Sequence, residues 1–227
     1  MKYNLYIMKT STWTQLAFCL LSSVFYACNS SHVYYLDATS GSDQNNGTSP
    51  RSAWQSIEAL KQISLQPGDK ILFKKGETFP GILEVTGKGT YTHPIIIDAY
   101  GEGNQKPCIA GNDTSMYAVR IFNSDYFTIQ NLEISNTGKE RKAGRTGLKV
   151  ECTDYGISHN IRINNLTIRD VNGSLVKEEG GGSGILIVNG GDSIRSRFDS
   201  LTIENCQILR CERNAMIWSG YYDRENC

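Results

Sequence analysis

Beyond residue 32 apolar and polar positions alternate along most of the chain, and one alternation returns as an eight-residue phrase. Phe127-Thr-Ile-Gln-Asn131-Leu-Glu-Ile134 recurs as Ile161-Arg-Ile-Asn-Asn165-Leu-Thr-Ile168 and as Leu201-Thr-Ile-Glu-Asn205-Cys-Gln-Ile208. Each copy is apolar at its first, third, sixth and eighth positions and carries Asn at its fifth. Period-two alternation predicts strands, and the break in phase between the third and sixth positions predicts a corner at the Asn. A shorter phrase lies between the copies: Ala118-Val-Arg-Ile121, Gly147-Leu-Lys-Val150, Gly184-Ile-Leu-Ile187 and Ala215-Met-Ile-Trp218. Such self-similarity, with Gly or Asn at the corners, predicts the stacked coils of a right-handed parallel β-helix. Stacking would align Asn131, Asn165 and Asn205 in an amide ladder, at corners where Asn tolerates the left-handed conformation. Ile129, Ile163 and Ile203 would point inward together. An antiparallel sandwich also alternates, but its strands have no reason to repeat one Asn at one offset. The Asn positions are 34 and then 40 residues apart, so loops are inserted between strands, and insertions in a solenoid gather on particular faces.

The two ends read differently. Lys2 and Lys9 precede an apolar run, Leu16 to Ala27, too short to span a bilayer comfortably. This predicts an export signal over residues 1–27, with Met8 as a second candidate start. Cys28 follows Ala27 and opens a polar tether over residues 28–32. The arrangement is similar to the lipidation box of bacterial lipoproteins, although Phe25 and Tyr26 depart from it. It predicts a cell-envelope protein held to a membrane through an acyl group on Cys28; a plain signal cut near Ala27 is the alternative. Residues 33–110 are expected to form a cap and the first coils, and residues 111–227 the remaining coils. The sequence stops soon after the strand phrase Ala215 to Trp218 with no capping element, which predicts a β-helix incomplete at its C-terminal end.

Composition narrows the function classes. The 23 basic and 23 acidic residues cancel, so bulk charge argues for no nucleic-acid partner. Five cysteines follow Cys28, namely Cys108, Cys152, Cys206, Cys211 and Cys227, without zinc-binding spacing. Cys206 occupies the slot of Leu132 and Leu166 and reads as a small core residue; a Cys206–Cys211 staple is also open in an exported protein.

The N-terminal module carries a resemblance. Val33 to Asp37 reads as a strand and leads into Gly41-Ser-Asp43-Gln-Asn45-Asn46-Gly47-Thr48 and Trp54. A helix from Ile57 to Ile63 follows, with Leu60 on its apolar side, then Pro67-Gly68-Asp69 and strands at Lys70 to Phe73 and Pro94 to Ile97. This order resembles the start of secreted parallel β-helix proteins of the pectate-lyase-like superfamily, from about Val33 to Trp218. The helix would cap the first coil, and Trp54 would pack there. Asp43, Asn45 and Asn46 read as a turn fixed by its own hydrogen bonds rather than a cation loop, since the acidic ligands of an EF-hand are lacking.

The resemblance implies action on polysaccharides by one of two chemistries. A lyase removes the proton beside a uronic carboxylate with a Lys or Arg base, often with Ca²⁺ as cofactor. A glycoside hydrolase needs two carboxyl groups across the scissile bond. The insertion carrying Lys139, Arg141, Lys142 and Arg145 points to an acidic glycan and places the lyase first, while a hydrolase and a non-catalytic glycan-binding protein remain alternatives. Glu178 and Glu179 precede a glycine run and are candidates for acid, base or Ca²⁺ ligation. Arg213, Tyr221 and Tyr222 combine charge with aromatic faces suited to sugar rings. His32, His93 and His159 show no partner in the sequence, and no catalytic motif of a named family is present.

Overall fold

A computed structural model of the protein describes residues 31–221. The expected export signal, Cys28 and Tyr222 lie outside the described residues. Strand β1 (Val33–Leu36) precedes five coils, each giving one strand to each of three parallel sheets. The coils are β2 (Lys70–Lys74), β3 (Thr78–Pro80), β4 (Leu83–Val85); β5 (Ile95–Tyr100), β6 (Cys108–Ala110), β7 (Tyr117–Phe122); β8 (Phe127–Gln130), β9 (Glu133–Asn136), β10 (Arg145–Thr153); β11 (Ile157–Asn164), β12 (Thr167–Val171), β13 (Gly182–Gly190); and β14 (Arg197–Glu204), β15 (Gln207–Cys211), β16 (Asn214–Gly220). The first sheet runs β1-β2-β5-β8-β11-β14, the second β3-β6-β9-β12-β15 and the third β4-β7-β10-β13-β16. This is a parallel β-helix, as the repeats predict.

Register follows the phrases. Ile129 pairs with Ile163, which pairs with Ile203. In the third sheet Val119, Leu148, Ile185 and Met216 stand in line, as do Ile121, Val150, Ile187 and Trp218. Apolar residues at the inward slots form one continuous core, from Leu36 and Trp54 to Ile187, so each coil stabilises its neighbours by burying a shared face.

The asparagine corners behave as expected at two of three coils. Asn131, Asn165 and Asn205 have φ of 59°, 50° and 55°, the left-handed region that Asn enters at low cost. Asn165 Nδ2 donates to Asn131 Oδ1 at 2.8 Å. Asn205 Nδ2 instead donates to Asn164 Oδ1 at 2.9 Å, so the ladder steps one residue sideways. At its upper end the ladder closes on a carboxylate, since Asn131 Nδ2 donates to Asp98 Oδ1 at 2.7 Å.

The cap departs from the expected helix in form. Ile57–Gln62 is a 3-10 helix, a tight geometry that short segments favour. Ile57 and Ala59 are buried in the core, and Leu60 and Ile63 pack against it. The Asx-rich turn has bonds of its own, from the Asn45 amide to the Ser42 carbonyl at 2.9 Å and from the Thr48 amide to Asn46 Oδ1 at 3.1 Å, and is also tied to the segment before the cap helix. Asp43 accepts from the amides of Gln55 and Ser56 at 2.9 Å each and from the Ser56 hydroxyl at 2.6 Å. Cys206 and Cys211 are free thiols, so the staple between them is not formed.

Candidate functional site

The predicted basic insertion joins β9 to β10, at the corner between the second and third sheets. Arg141 pairs with Glu212 through two bonds of 3.0 and 2.7 Å, from Nε and Nη2. Lys139 Nζ stands 3.8 Å from Asp113 and is largely exposed. Lys142 Nζ donates to the Thr114 carbonyl at 3.3 Å. Arg145 corrects the expectation of an exposed contact residue, because it is only 1% exposed. As the first residue of β10 its side chain turns under the loop, where it donates to Asn172 Oδ1 and, at 2.7 Å, to the Asp113 carbonyl. The glycine-rich insertion joins β12 to β13 beside it. Glu179 accepts from the Ser174 hydroxyl, while Glu178 is exposed. Arg213 Nη1 reaches the Leu175 carbonyl at 3.4 Å. Tyr221 has Arg195 5.0 Å from its ring centroid. Among the described residues no group of three or more His, Cys, Asp or Glu side chains is placed to hold a metal ion.

A second constellation lies on the outer face of the third sheet, and sequence reading missed it. Because Val119, Ile121, Leu148 and Val150 point inward, the residues between them point outward. Register therefore lines up Glu84, Arg120, Lys149 and Leu186 in successive coils, with Phe122, Glu151 and Val188 in the adjacent column. Arg120 is the hub. Its Nη1 lies 3.3 Å from Glu84 Oε1 and its Nη2 2.8 Å from Glu151 Oε2. Lys149 Nζ also reaches Glu151 Oε2, at 2.7 Å, and the Tyr117 hydroxyl donates to Glu84 at 2.5 Å. The guanidinium sits 4.1 Å from the Phe122 ring centroid, a cation–π distance.

The protonation of this face follows from its cations. Burial pushes the Glu151 carboxyl up, but its bonds to Lys149 and Arg120 outweigh that and hold it below the ordinary value. Glu151 is thus a fixed anion near neutral pH, able to accept sugar hydroxyls or to stabilise positive charge. Glu84 is the more open of the two carboxylates, 49% exposed against 13%. It borders two depressions, of about 460 and 420 Å³, with Leu60 and Lys61 of the cap helix lining both. The face therefore joins carboxylates, aromatic rings and aliphatic residues, with depressions at its Glu84 edge, a mixture of apolar and polar groups suited to a ligand.

His159 also requires correction, since it has a partner. Its Nδ1 lies 3.1 Å from Asp125 Oδ1, and its backbone amide donates to the same oxygen at 2.8 Å. Tyr126 stacks on the imidazole with centroids 6.0 Å apart, and the Tyr155 hydroxyl donates to Asp125 Oδ2. Burial raises the Asp125 carboxyl, and the Tyr155 and His159 bonds bring it below its ordinary value. Burial and the bond to Asp125 push the Tyr155 phenol up, so Tyr155 serves as a donor rather than a base.

No protein-family model matches the chain. Over 82% of its length the chain is 26% identical to a lacto-N-biosidase of Bifidobacterium longum subsp. longum, of which it covers 16%. A stretch of 66 residues is 32% identical to alpha-1,3-galactosidase A of Akkermansia muciniphila, covering 29% of this chain and 11% of that one. Among solved structures, the GH136 lacto-N-biosidase from Eubacterium ramulus superposes with a TM-score of 0.67 at 26% identity, covering 82% of this chain and 36% of that one. The fold is one that carbohydrate-active enzymes use. The chain spans about a third of the solved relative and under a fifth of the curated ones.

Proposed function

We propose that the chain acts on a neutral glycan by glycoside hydrolysis, with the outer face of the third sheet as its sugar-binding surface. The observation that carries this reading is the likeness, over 82% of the chain, to lacto-N-biosidase, which replaces the lyase preferred from sequence. Glu151 supplies the ionised carboxylate and Glu84 the second carboxyl that hydrolysis needs. Arg120 spaces the two, and Phe122, Leu186 and Val188 offer apolar contact to pyranose rings. A binding-only surface is the second reading, favoured because Arg120 pairs with both carboxylates in the free protein.

The test uses the full chain with a chromogenic lacto-N-bioside, an α-1,3-galactoside and a polyuronate. Hydrolysis of one of the first two is expected, falling roughly 10²- to 10⁴-fold in Glu84→Gln and Glu151→Gln. Retained activity in both variants would remove these residues from the site. Binding without turnover would favour the second reading. Unsaturated, ultraviolet-absorbing ends from the polyuronate would restore the lyase. Export and an acyl anchor at Cys28 complete the proposal, holding the protein beside its glycan. Cys28→Ser is expected to move the exported protein from the membrane to the soluble fraction, and a parent protein already soluble after export would exclude the anchor.

A further inference from the structure

We infer that the corner between β9 and β10 holds an anion subsite that takes the carboxylate or sulfate of an acidic sugar unit. The inference rests on the glycan-binding reading above and extends it from neutral to charged substituents. The corner encloses a depression of about 290 Å³ lined by Asp113, Lys139, Glu140, Arg141, Lys142 and Arg145. Its four cations differ in how they are neutralised. Arg141 is held by Glu212, and Lys139 stands near Asp113. Lys142 and Arg145 have no carboxylate within ion-pair distance among the described residues; their partners are carbonyl oxygens and an amide.

Arg145 decides the matter. It is 99% buried by its 1% exposure, and its Nε has no hydrogen-bond partner. A guanidinium withdrawn from water without a counter-charge is costly, because desolvation is not offset by an ion pair. Its place is nonetheless built. A Cβ at residue 138 would lie 2.2 Å from Arg145 Nη1, so Gly138 lets the backbone cover the guanidinium in the position it occupies. Asn172 fixes both parts, accepting from Arg145 and from the Gly138 amide and donating to the Gly138 carbonyl. An anion in the depression would receive Lys142 and Lys139 directly and would supply the charge that Arg145 lacks, acting from beneath as a positioning residue.

The subsite also has a place on the sugar-binding surface. Arg145 and Lys149 lie on the same strand, four residues or about 13 Å apart. An oligosaccharide laid over the Arg120 cluster can therefore present an acidic unit to this corner. Charge then selects among glycans while the third-sheet face holds the rings common to them.

The experiment is calorimetric titration of the full chain with a galacturonate oligomer, a sulfated galactose oligomer, their neutral galactose counterpart and inorganic sulfate. The acidic oligomers are expected to bind more tightly than the neutral one. That advantage should shrink between 0.1 and 1 M salt, as the Debye length falls from about 10 to about 3 Å. Lys139→Ser with Lys142→Ser should weaken acidic binding, by up to about fivefold per lysine, and leave neutral binding unchanged. Arg145→Gln removes the charge together with the guanidinium bonds to Asn172 and Asp113; where it folds, it should abolish the advantage, and where it does not, the lysine pair decides. Equal affinity for acidic and neutral oligomers, or acidic binding indifferent to the lysine substitutions, overturns the subsite. Sulfate binding that depends on the lysines while no oligomer binds would keep the anion site and reject the glycan reading.

Discussion

Trp54→Ala is expected to destabilise the protein by about 3–5 kcal/mol, the range for removing a buried aromatic. The indole is 3% exposed and holds three parts of the N-terminal module at once. It stacks on Tyr34 with centroids 5.3 Å apart and planes 11° apart. Its Nε1 donates to the Asn45 carbonyl at 2.8 Å, which ties it to the Asx-rich turn. A Cβ at residue 47 would lie 2.6 Å from its ring carbons, so Gly47 packs flat against it. Alanine leaves a cavity among these groups and the Asn45 carbonyl without its donor. Urea unfolding followed by far-ultraviolet circular dichroism should show a lower midpoint at unchanged slope. A midpoint within error of the parent would mean that the cap contributes nothing to the stability of the coils.

Asn165→Leu is expected to cost about 3–4 kcal/mol through two separable terms. The first is conformational: the residue has φ of 50°, where a leucine side chain meets its own carbonyl at a cost of about 1–2 kcal/mol. The second is the loss of two hydrogen bonds, one donated to Asn131 and one accepted from Lys106 Nζ at 3.1 Å, each worth about 1 kcal/mol. Asn165→Gly keeps access to the left-handed region and loses the bonds, with about 0.5–1 kcal/mol more from the greater freedom of the unfolded glycine, so the gap between the two variants is a lower bound on the strain. Equal unfolding midpoints for Leu and Gly would show that the corner does not demand the left-handed conformation.

The fold was legible because its information is periodic. Phe127, Ile129, Leu132 and Ile134 are buried, and so are Ile161, Ile163, Leu166 and Ile168, each at the slot its phrase assigns. The sideways step at Asn205 was not legible, because the phrase also carries Asn164 one place earlier, and only geometry decides which amide is within reach. The site was far less visible. Glu84, Arg120 and Glu151 lie in three different coils, and their meeting depends on register across strands. Yet a signal was present, for the third-sheet phrases carry Arg120 and Lys149 at the same outward slot, and reading down that column would have brought the charges together. Arg145 misled because a run of basic residues reads as a solvated loop, whereas its last member already belongs to the strand. His159 found its partner in Asp125, which sits at the corner of the preceding coil.

The two tryptophans of the described residues differ in setting: Trp54 is buried beside the first coil, whereas Trp218 in the fifth described coil is 58% exposed. Their emission consequently divides by colour, the sheltered indole to the blue and the wetted one to the red, with iodide quenching only the latter. In a solenoid whose coils touch only neighbours, distant coils can open separately. Fluorescence in a Trp13→Phe background thus reports separately on the N-terminal module and on the fifth coil as the protein unfolds.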